Sequence, residues 1–263
     1  MDSSKSEQIE NLWRGYLTTG GFPKERRQRM LFRLLPGSPR CKNCYAPFRG
    51  SGSFVVKLMY GKRPSNLNPH LCNICENFAR EYQGGAEIKL SLLFADVRDS
   101  TALAERMTPT EFSKLINRFY TAATRVMVQS DALIDKIIGD QAAGMYVPGF
   151  AGSEHASRAI TAAQEILHAT GHSDATGPWI SLGVGVHTGT AFVGAVGAKD
   201  GTTDITVLGD VANTTARLSS KAQTGEILIS EPALEAAKMS ATGLVQRSLD
   251  LKGKSDLMSV FVL

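Results

Sequence analysis

The four cysteines of the chain fall into two Cys-x-x-Cys pairs, Cys41/Cys44 and Cys72/Cys75, separated by 27 residues. Four thiolates at this spacing make a tetrahedral metal site natural, and so short a segment gains its fold from a metal rather than from a core. Zinc is the default in a reducing compartment. A mononuclear or clustered iron centre uses the same ligands, and a dithiol redox pair is the third reading. His70, two residues before Cys72, is an outside candidate ligand and otherwise a surface histidine. Further along, "LSLLFADVRDST" (90–101) is an apolar run ending on Asp96, and "LIDKIIGDQAAG" (133–144) carries Asp140 in a Gly-Asp turn. Either aspartate alone is ordinary turn chemistry. Together, at strand ends of one sheet, they can hold two Mg²⁺ ions about 3.5–4 Å apart for phosphoryl-type displacement. Lys136, four residues before Asp140, is either its ion-pair partner across the turn or a second working group. Asn213 and Arg217 are four apart and share a helix face. The planar fork of arginine suits negative charge building on phosphorus. His187, inside "GVGVHTG", has no convergent acid–base partners and reads as structural.

These groups need a scaffold. Residues 6–17 predict a short amphipathic helix. The basic stretch "PKERRQRMLFRLLPGSP" that follows reads as a solvated surface helix, with docking or nucleic-acid binding as the alternative. "GSGSFVVKLMYGKRP", between the cysteine pairs, predicts a strand. "QGGAE" (83–87) reads as a hinge. Beyond it strands are expected at 87–96, 132–138, 141–147, 179–187, 191–196, 226–229, 244–250 and 257–262. Thr108-Pro109-Thr110-Glu111 is a capping box with proline at the first helical position. The helix it opens carries Phe112, Leu115, Ile116, Phe119, Ala123 and Val126 at helical spacing. Further helices are expected at 153–169 and 208–222. The pattern is α+β with mixed strands.

Bulk properties agree with a globular chain of 263 residues, 43% apolar and 21% charged. The net charge of +4 conceals an asymmetry: residues 1–86 hold 14 Lys/Arg against 6 Asp/Glu, and the remainder 15 against 19. Two units with different tasks are expected. No apolar run approaches the ~18–20 residues of a membrane span, and no signal-like segment opens the chain, so a cytoplasmic protein without a membrane partner is expected.

Six stretches carry a resemblance: "LLFADVRDST", "DKIIGDQAAGMYVPG", "GVGVHTGTAFVGAVG", "DITVLGDVANTTARL", "GEILIS" and the terminal "LKGKSDLMSVFVL". In this order they resemble the catalytic domain of class III nucleotidyl cyclases, the adenylyl/guanylyl cyclase family. The resemblance implies a ferredoxin-like α+β domain over 87–263 with a mixed or antiparallel sheet. Before it stand a basic helical segment (1–40) and a small zinc-ribbon-like four-cysteine module (41–82). It implies a head-to-tail homodimer with two shared active sites. Asp96 and Asp140 fall on the metal-binding aspartates for two Mg²⁺ or Mn²⁺ ions, with the backbone of Val97 beside them. Lys136 falls on the purine-reading lysine and Thr206 on its partner. Asn213 and Arg217 fall on the pair that orients the ribose and stabilises the transition state. The turn Val97-Arg98-Asp99-Ser100-Thr101, with Lys252, falls on the triphosphate. The implied reaction is attack of the ribose 3′-oxygen of ATP on the α-phosphate, giving 3′,5′-cyclic AMP and pyrophosphate.

Three positions depart from the family pattern: Asp99 stands where glycine is common, Gln141 where a glycine or acid is common, and "NTTAR" has two threonines at usually apolar or small positions. Adenine offers an acceptor at N1, and lysine has only donors, so Lys136 suits adenine. The alternatives are a guanylate cyclase, or a catalytically weak cyclase-like dimer that senses nucleotide or, through its basic zinc module, binds nucleic acid. The basic run lacks interleaved aromatics, which counts against nucleic acid.

Overall fold

The computed structural model describes residues 3–21, 23–198, 201–250 and 257–263; Lys252 lies outside them. Helices α1 (Ser3–Thr19), α2 (Pro23–Leu34), α3 (Ser51–Tyr60) and α4 (Asn73–Glu81) precede strand β1 (Gly84–Val97). Next come α5 (Ser100–Arg106), α6 (Pro109–Gln129), β2 (Leu133–Ile138), β3 (Gln141–Tyr146), α7 (Pro148–Ala151) and α8 (His155–Ala169). The remainder is β4 (Leu182–Gly197), β5 (Thr203–Leu208), α9 (Asp210–Lys221), β6 (Ile227–Ser230), α10 (Glu231–Ala236), β7 (Val245–Leu249) and β8 (Met258–Val262). The strands run in the order β2-β3-β1-β4-β6-β8-β7, with β5 paired to β4 off that path. Strands β4 and β6 are parallel, while β1–β3, β2–β3 and β6–β8 are antiparallel, so the sheet is mixed and the fold α+β.

The described residues pack as two units that are not consecutive in sequence. The first draws on Met1–Ile88, Val147–Phe150 and Ala191–Leu208, the second on Lys89–Tyr146, Ala151–Thr190 and Gly209–Leu263. Strands β1 and β4 pass from one into the other.

In the second unit, α6 starts as its capping box predicts: Thr108 Oγ1 accepts from the Glu111 N–H, and Glu111 accepts from the Thr108 N–H. Its apolar stripe of Ile116, Phe119, Ala123, Val126 and Met127 packs in one core with Leu93, Ala95 and Val97 of β1 and Ile160, Ala163 and Ile166 of α8. Full burial of a side chain such as Phe119 contributes roughly 1.5–3 kcal/mol. Helix α9 is seated on glycines of β4. A Cβ on Gly185 would lie 2.5 Å from the Ser219 nitrogen, and one on Gly183 2.8 Å from the Ala222 oxygen. Backbone on both sides leaves no flexible atom to yield, so Gly185→Ala is expected to cost about 1–3 kcal/mol by overpacking. Denaturant unfolding measures that loss, and turnover should fall with it because α9 is displaced. The two threonines of "NTTAR" are fully buried on α9, where Thr215 Oγ1 donates to the Val211 carbonyl of the same helix at 2.7 Å.

Three expectations differ from the structure. The segment "FVVKLMY" forms helix α3 rather than a strand. Its buried residues, Gly52 and Val56, are one helical turn apart, and Gly61 ends it at φ 63°. The stretch read as a hinge begins β1: a Cβ on Gly85 would lie 2.4 Å from the Val193 oxygen, and one on Gly194 2.2 Å from the Gly84 oxygen. Those glycines permit close backbone approach rather than bending. The expected strands 179–187 and 191–196 are one strand, β4. The polar "TGT" between them stays extended: Thr188 Oγ1 meets Ser91 Oγ at 2.6 Å, and the preceding His187 Nδ1 meets Ser230 Oγ at 2.7 Å. No expected element covers α4, α7, β5 or α10; α10 is capped by Ser230, whose side chain accepts from the Ala233 N–H.

Candidate active site

Strand β1 ends on Asp96, which stands opposite Gln141 of β3 in the antiparallel register. The Val97 N–H donates to the Asp140 carbonyl at 2.9 Å, so the β2–β3 turn closes directly on the end of β1. This brings the Asp96 and Asp140 carboxylates together. Burial pushes the Asp96 carboxyl above the usual carboxylate range, Arg98 pulls it back, and the charge of Asp140 pushes it up further. Ser100 donates its hydroxyl to Asp140 Oδ2. The donor chemistry fits a hard divalent cation: two carboxylates whose mutual repulsion a cation relieves.

The folded chain therefore binds the Asp96 proton more tightly than the unfolded chain. By linkage this group makes stability fall as pH rises from the ordinary carboxylate value through the raised one. Without added divalent cation, the parent's melting temperature relative to that of Asp96→Asn should decline across that window. A slope unchanged in the variant would show that Asp96 does not cause it.

Both oxygens of Asp96 have partners. Arg98 pairs with Oδ1, and Gln141 Nε2 donates to Oδ2 at 3.2 Å and lies 3.5 Å from Ser219 Oγ of α9. The same Arg98 guanidinium donates to the carbonyls of Ser220 (2.8 Å) and Ala222 (3.2 Å) at the C-terminal end of α9. A cation there satisfies carbonyls that the helix leaves open and complements its dipole. Arg98 and Gln141 thus fasten the end of β1 to the helix that carries Asn213 and Arg217. Arg98 is expected in the triphosphate turn and Gln141 only as a departure from the family pattern; no local pattern signals their links to α9, across 122 and 78 residues of sequence.

Asn213 is exposed and Arg217 half-buried, one turn apart on α9. Asp99 adopts φ 54° and ψ 32°, a left-handed conformation that glycine accepts freely and aspartate tolerates. The departure at this position therefore keeps the turn. Ser100 and Thr101 follow it in the first turn of α5. Lys136 is exposed on β2, two residues before the end of the strand, and Gly139 makes the turn at φ 64°. Asp140 takes Ser100 rather than Lys136 as its hydrogen-bond partner. In the first unit, Thr206 is buried on β5 opposite Gly194 of β4.

The first unit also holds the cysteines. Their Sγ atoms all lie within 4.8 Å of one another, with Cys44 and Cys72 at 3.7 Å. A tetrahedral ion with metal–sulfur bonds of about 2.3 Å has an edge of about 3.8 Å. No pair is bonded, and the spacing is tight for a multi-iron cluster, which spreads its thiolates farther than one ion does. Donors surround the sulfurs: the Cys72 N–H to Cys41 Sγ (3.3 Å), Asn43 Nδ2 to Cys75 Sγ (3.4 Å) and Lys62 Nζ near Cys44 Sγ (3.6 Å). Burial alone would push the Lys62 ammonium down, yet the four cysteines hold it above its ordinary value. His70 is exposed and stands outside the cluster.

No helix among the described residues is long and apolar enough to cross a membrane. Residues 85–263 match the family described as the adenylate and guanylate cyclase catalytic domain. The chain is 29% identical over 184 residues to an adenylate cyclase of Anabaena cylindrica, covering 66% of this chain and 36% of that one. It is similar in structure to the guanylyl cyclase Cya2, with a TM-score of 0.62 and 25% identity over 68% of this chain and 93% of that one. It also has the fold of the adenylyl cyclase CyaB from P. aeruginosa, with a TM-score of 0.56 and 24% identity over 67% of this chain and 94% of that one. The chain spans 36% and 9% of the length of the first two curated relatives that it matches. With the matched region running from the start of β1 to the last residue, and the sheet and paired aspartates in place, the chain belongs to the class III adenylyl/guanylyl cyclase catalytic-domain family.

Proposed function

We propose that the protein is an adenylate cyclase that converts ATP to 3′,5′-cyclic AMP and pyrophosphate at two sites shared across a head-to-tail homodimer. The observation that carries this reading is the pairing of Asp96 with Asp140 at the end of β1, fastened by Arg98 to the helix bearing Asn213 and Arg217. Asp96 and Asp140 would hold two Mg²⁺ or Mn²⁺ ions, with the Val97 backbone beside them. When bound, such ions lower the pKa of the ribose hydroxyl and neutralise phosphate charge. Arg217 offers two parallel donors to the charge that grows on the α-phosphate oxygens, and Asn213 holds the ribose. The turn 97–101 and Lys252 would take the triphosphate. No protein nucleophile is required. At the four cysteines we propose one structural Zn²⁺, for which the 3.7 Å sulfur spacing is the support.

Lys136 presents only donors and suits N1 of adenine, whereas guanine has a donor there. Thr206, which can donate or accept, favours neither base, and this keeps a guanylate cyclase as the second reading. The test is turnover by the purified protein with Mn²⁺ or Mg²⁺ and either ATP or GTP, products being separated by chromatography. Cyclic AMP as the main product is expected; its absence from a preparation shown to be dimeric would overturn the proposal. Lys136→Glu should shift the ATP-to-GTP turnover ratio toward GTP by at least about tenfold, the scale of one hydrogen-bond mismatch.

A further inference from the structure

Among the described residues β5 pairs with β4 alone, and at its start it is held by side chains of the four-cysteine segment. Lys42, inside the Cys41–Cys44 knuckle, is buried and places Nζ 2.6 Å from Asp204 Oδ1. Asn68, just before the second knuckle, donates Nδ2 to the Thr203 carbonyl (3.1 Å) and to Asp204 Oδ1 (3.2 Å). Gln83 Nε2 donates to Thr203 Oγ1 at 3.2 Å. The two knuckles are tied together at the same place: the Lys42 N–H donates to the His70 carbonyl, and the His70 N–H donates to Asn68 Oδ1. A buried ammonium is costly unless paired, so Lys42 is not neutral filling within the knuckle. Asp204 and Thr206 are two residues apart on an extended strand and project from one face of it.

We infer that Lys42, Asn68 and Asp204 are positioning residues for base recognition: the cysteine knuckles set where β5 holds Thr206. This rests on the reading of Thr206 as a base contact. Whatever opens the Cys41–Cys44 knuckle then releases Asp204 and loosens the grip on the purine.

The deciding variant is the double substitution Lys42→Met with Asp204→Asn, which removes the ion pair without stranding a buried charge. It is compared with the parent and with Thr206→Ala for KM and kcat on ATP and GTP, alongside metal content and dimer mass. Expected is a change of at least about threefold in the ATP-to-GTP ratio of kcat/KM, in the same direction as Thr206→Ala, carried mainly by KM, with metal content retained. The single substitutions should be no additive pair, since they break one interaction. If Thr206→Ala shifts the ratio and the double variant does not, the coupling is wrong. If the double variant lowers kcat equally for both nucleotides, its role is only structural and the inference falls. If Thr206→Ala itself leaves the ratio unchanged, the base-contact reading fails and takes the inference with it.

Discussion

Arg217→Ala is expected to lower kcat by about 10²–10³-fold, the loss typical of one preorganised donor to transition-state charge. The fold should survive, because Arg217 is half-buried on α9 while the helix is anchored by Val211, Leu218 and the glycines of β4. Asp96→Ala should abolish turnover at least as thoroughly, since it removes one of two carboxylates available to a cation. The informative measurement is the mixture. In a two-fold dimer whose sites each take Asp96 from one chain and Arg217 from the other, a mixed dimer has one intact site and one doubly damaged site. Random exchange of equal amounts should then recover about a quarter of the parent activity. Recovery would be absent if both residues served a site within one chain. Mixtures with a variant that cannot dimerise separate this outcome from failure to exchange subunits.

The second large effect is expected at the cysteines. Cys41 is fully buried and accepts the Cys72 N–H, and its sulfur lies within 4.8 Å of those of Cys72, which caps α4, and Cys75, which is buried on it. Structural zinc typically contributes about 10–16 kcal/mol in small metal-dependent domains, more than the whole stability of many domains. Cys41→Ala should therefore lose the metal and the tertiary structure around it, not merely weaken it. Trp13 reports on this unit: it is buried, packs on Phe78 at 5.2 Å between ring centroids and donates Nε1–H to the Tyr82 carbonyl. Its fluorescence should shift toward that of a solvated indole, and metal analysis should find less than one ion per chain. Parent-like fluorescence with full metal content would show that three thiolates suffice. A dithiol pair in place of a metal site would give no bound ion in the parent at all.

Part of the architecture is legible one segment at a time. The capping box opening α6, its apolar stripe and the paired Cys-x-x-Cys spacing are local. Each depends on residues within a turn or two, whose geometry the backbone dictates. The order of six motifs along the chain identifies the family for the same reason. The segment 51–60 departs from the expected strand because its β-branched and aromatic residues favour a strand in isolation, while its burial on Gly52 and Val56 has helical period. The expected break within β4 is absent for a similar reason: "TGT" has turn composition, while Thr188 and the preceding His187 find partners in distant Ser91 and Ser230.

What the amino-acid order determined by itself is the chemistry available: four thiolates at ligand spacing, two strand-end aspartates, a lysine with only donors, and Asn213 and Arg217 on one helix face. What only the tertiary structure decided is how these groups are coupled. Arg98 became a bracket between Asp96 and the end of α9, Gln141 a donor to Asp96 rather than a defect, and Asn68 a partner of Asp204 across 136 residues of sequence. Local patterns restrict φ and ψ and the face on which a side chain emerges. Contacts between distant segments depend on register and packing in the finished sheet, which no window of neighbouring residues contains. The pair Lys136 and Asp140 illustrates both. Their spacing is visible at once, but their separation in space follows from a turn that brings Asp140 to the end of β1 and leaves Lys136 exposed on β2.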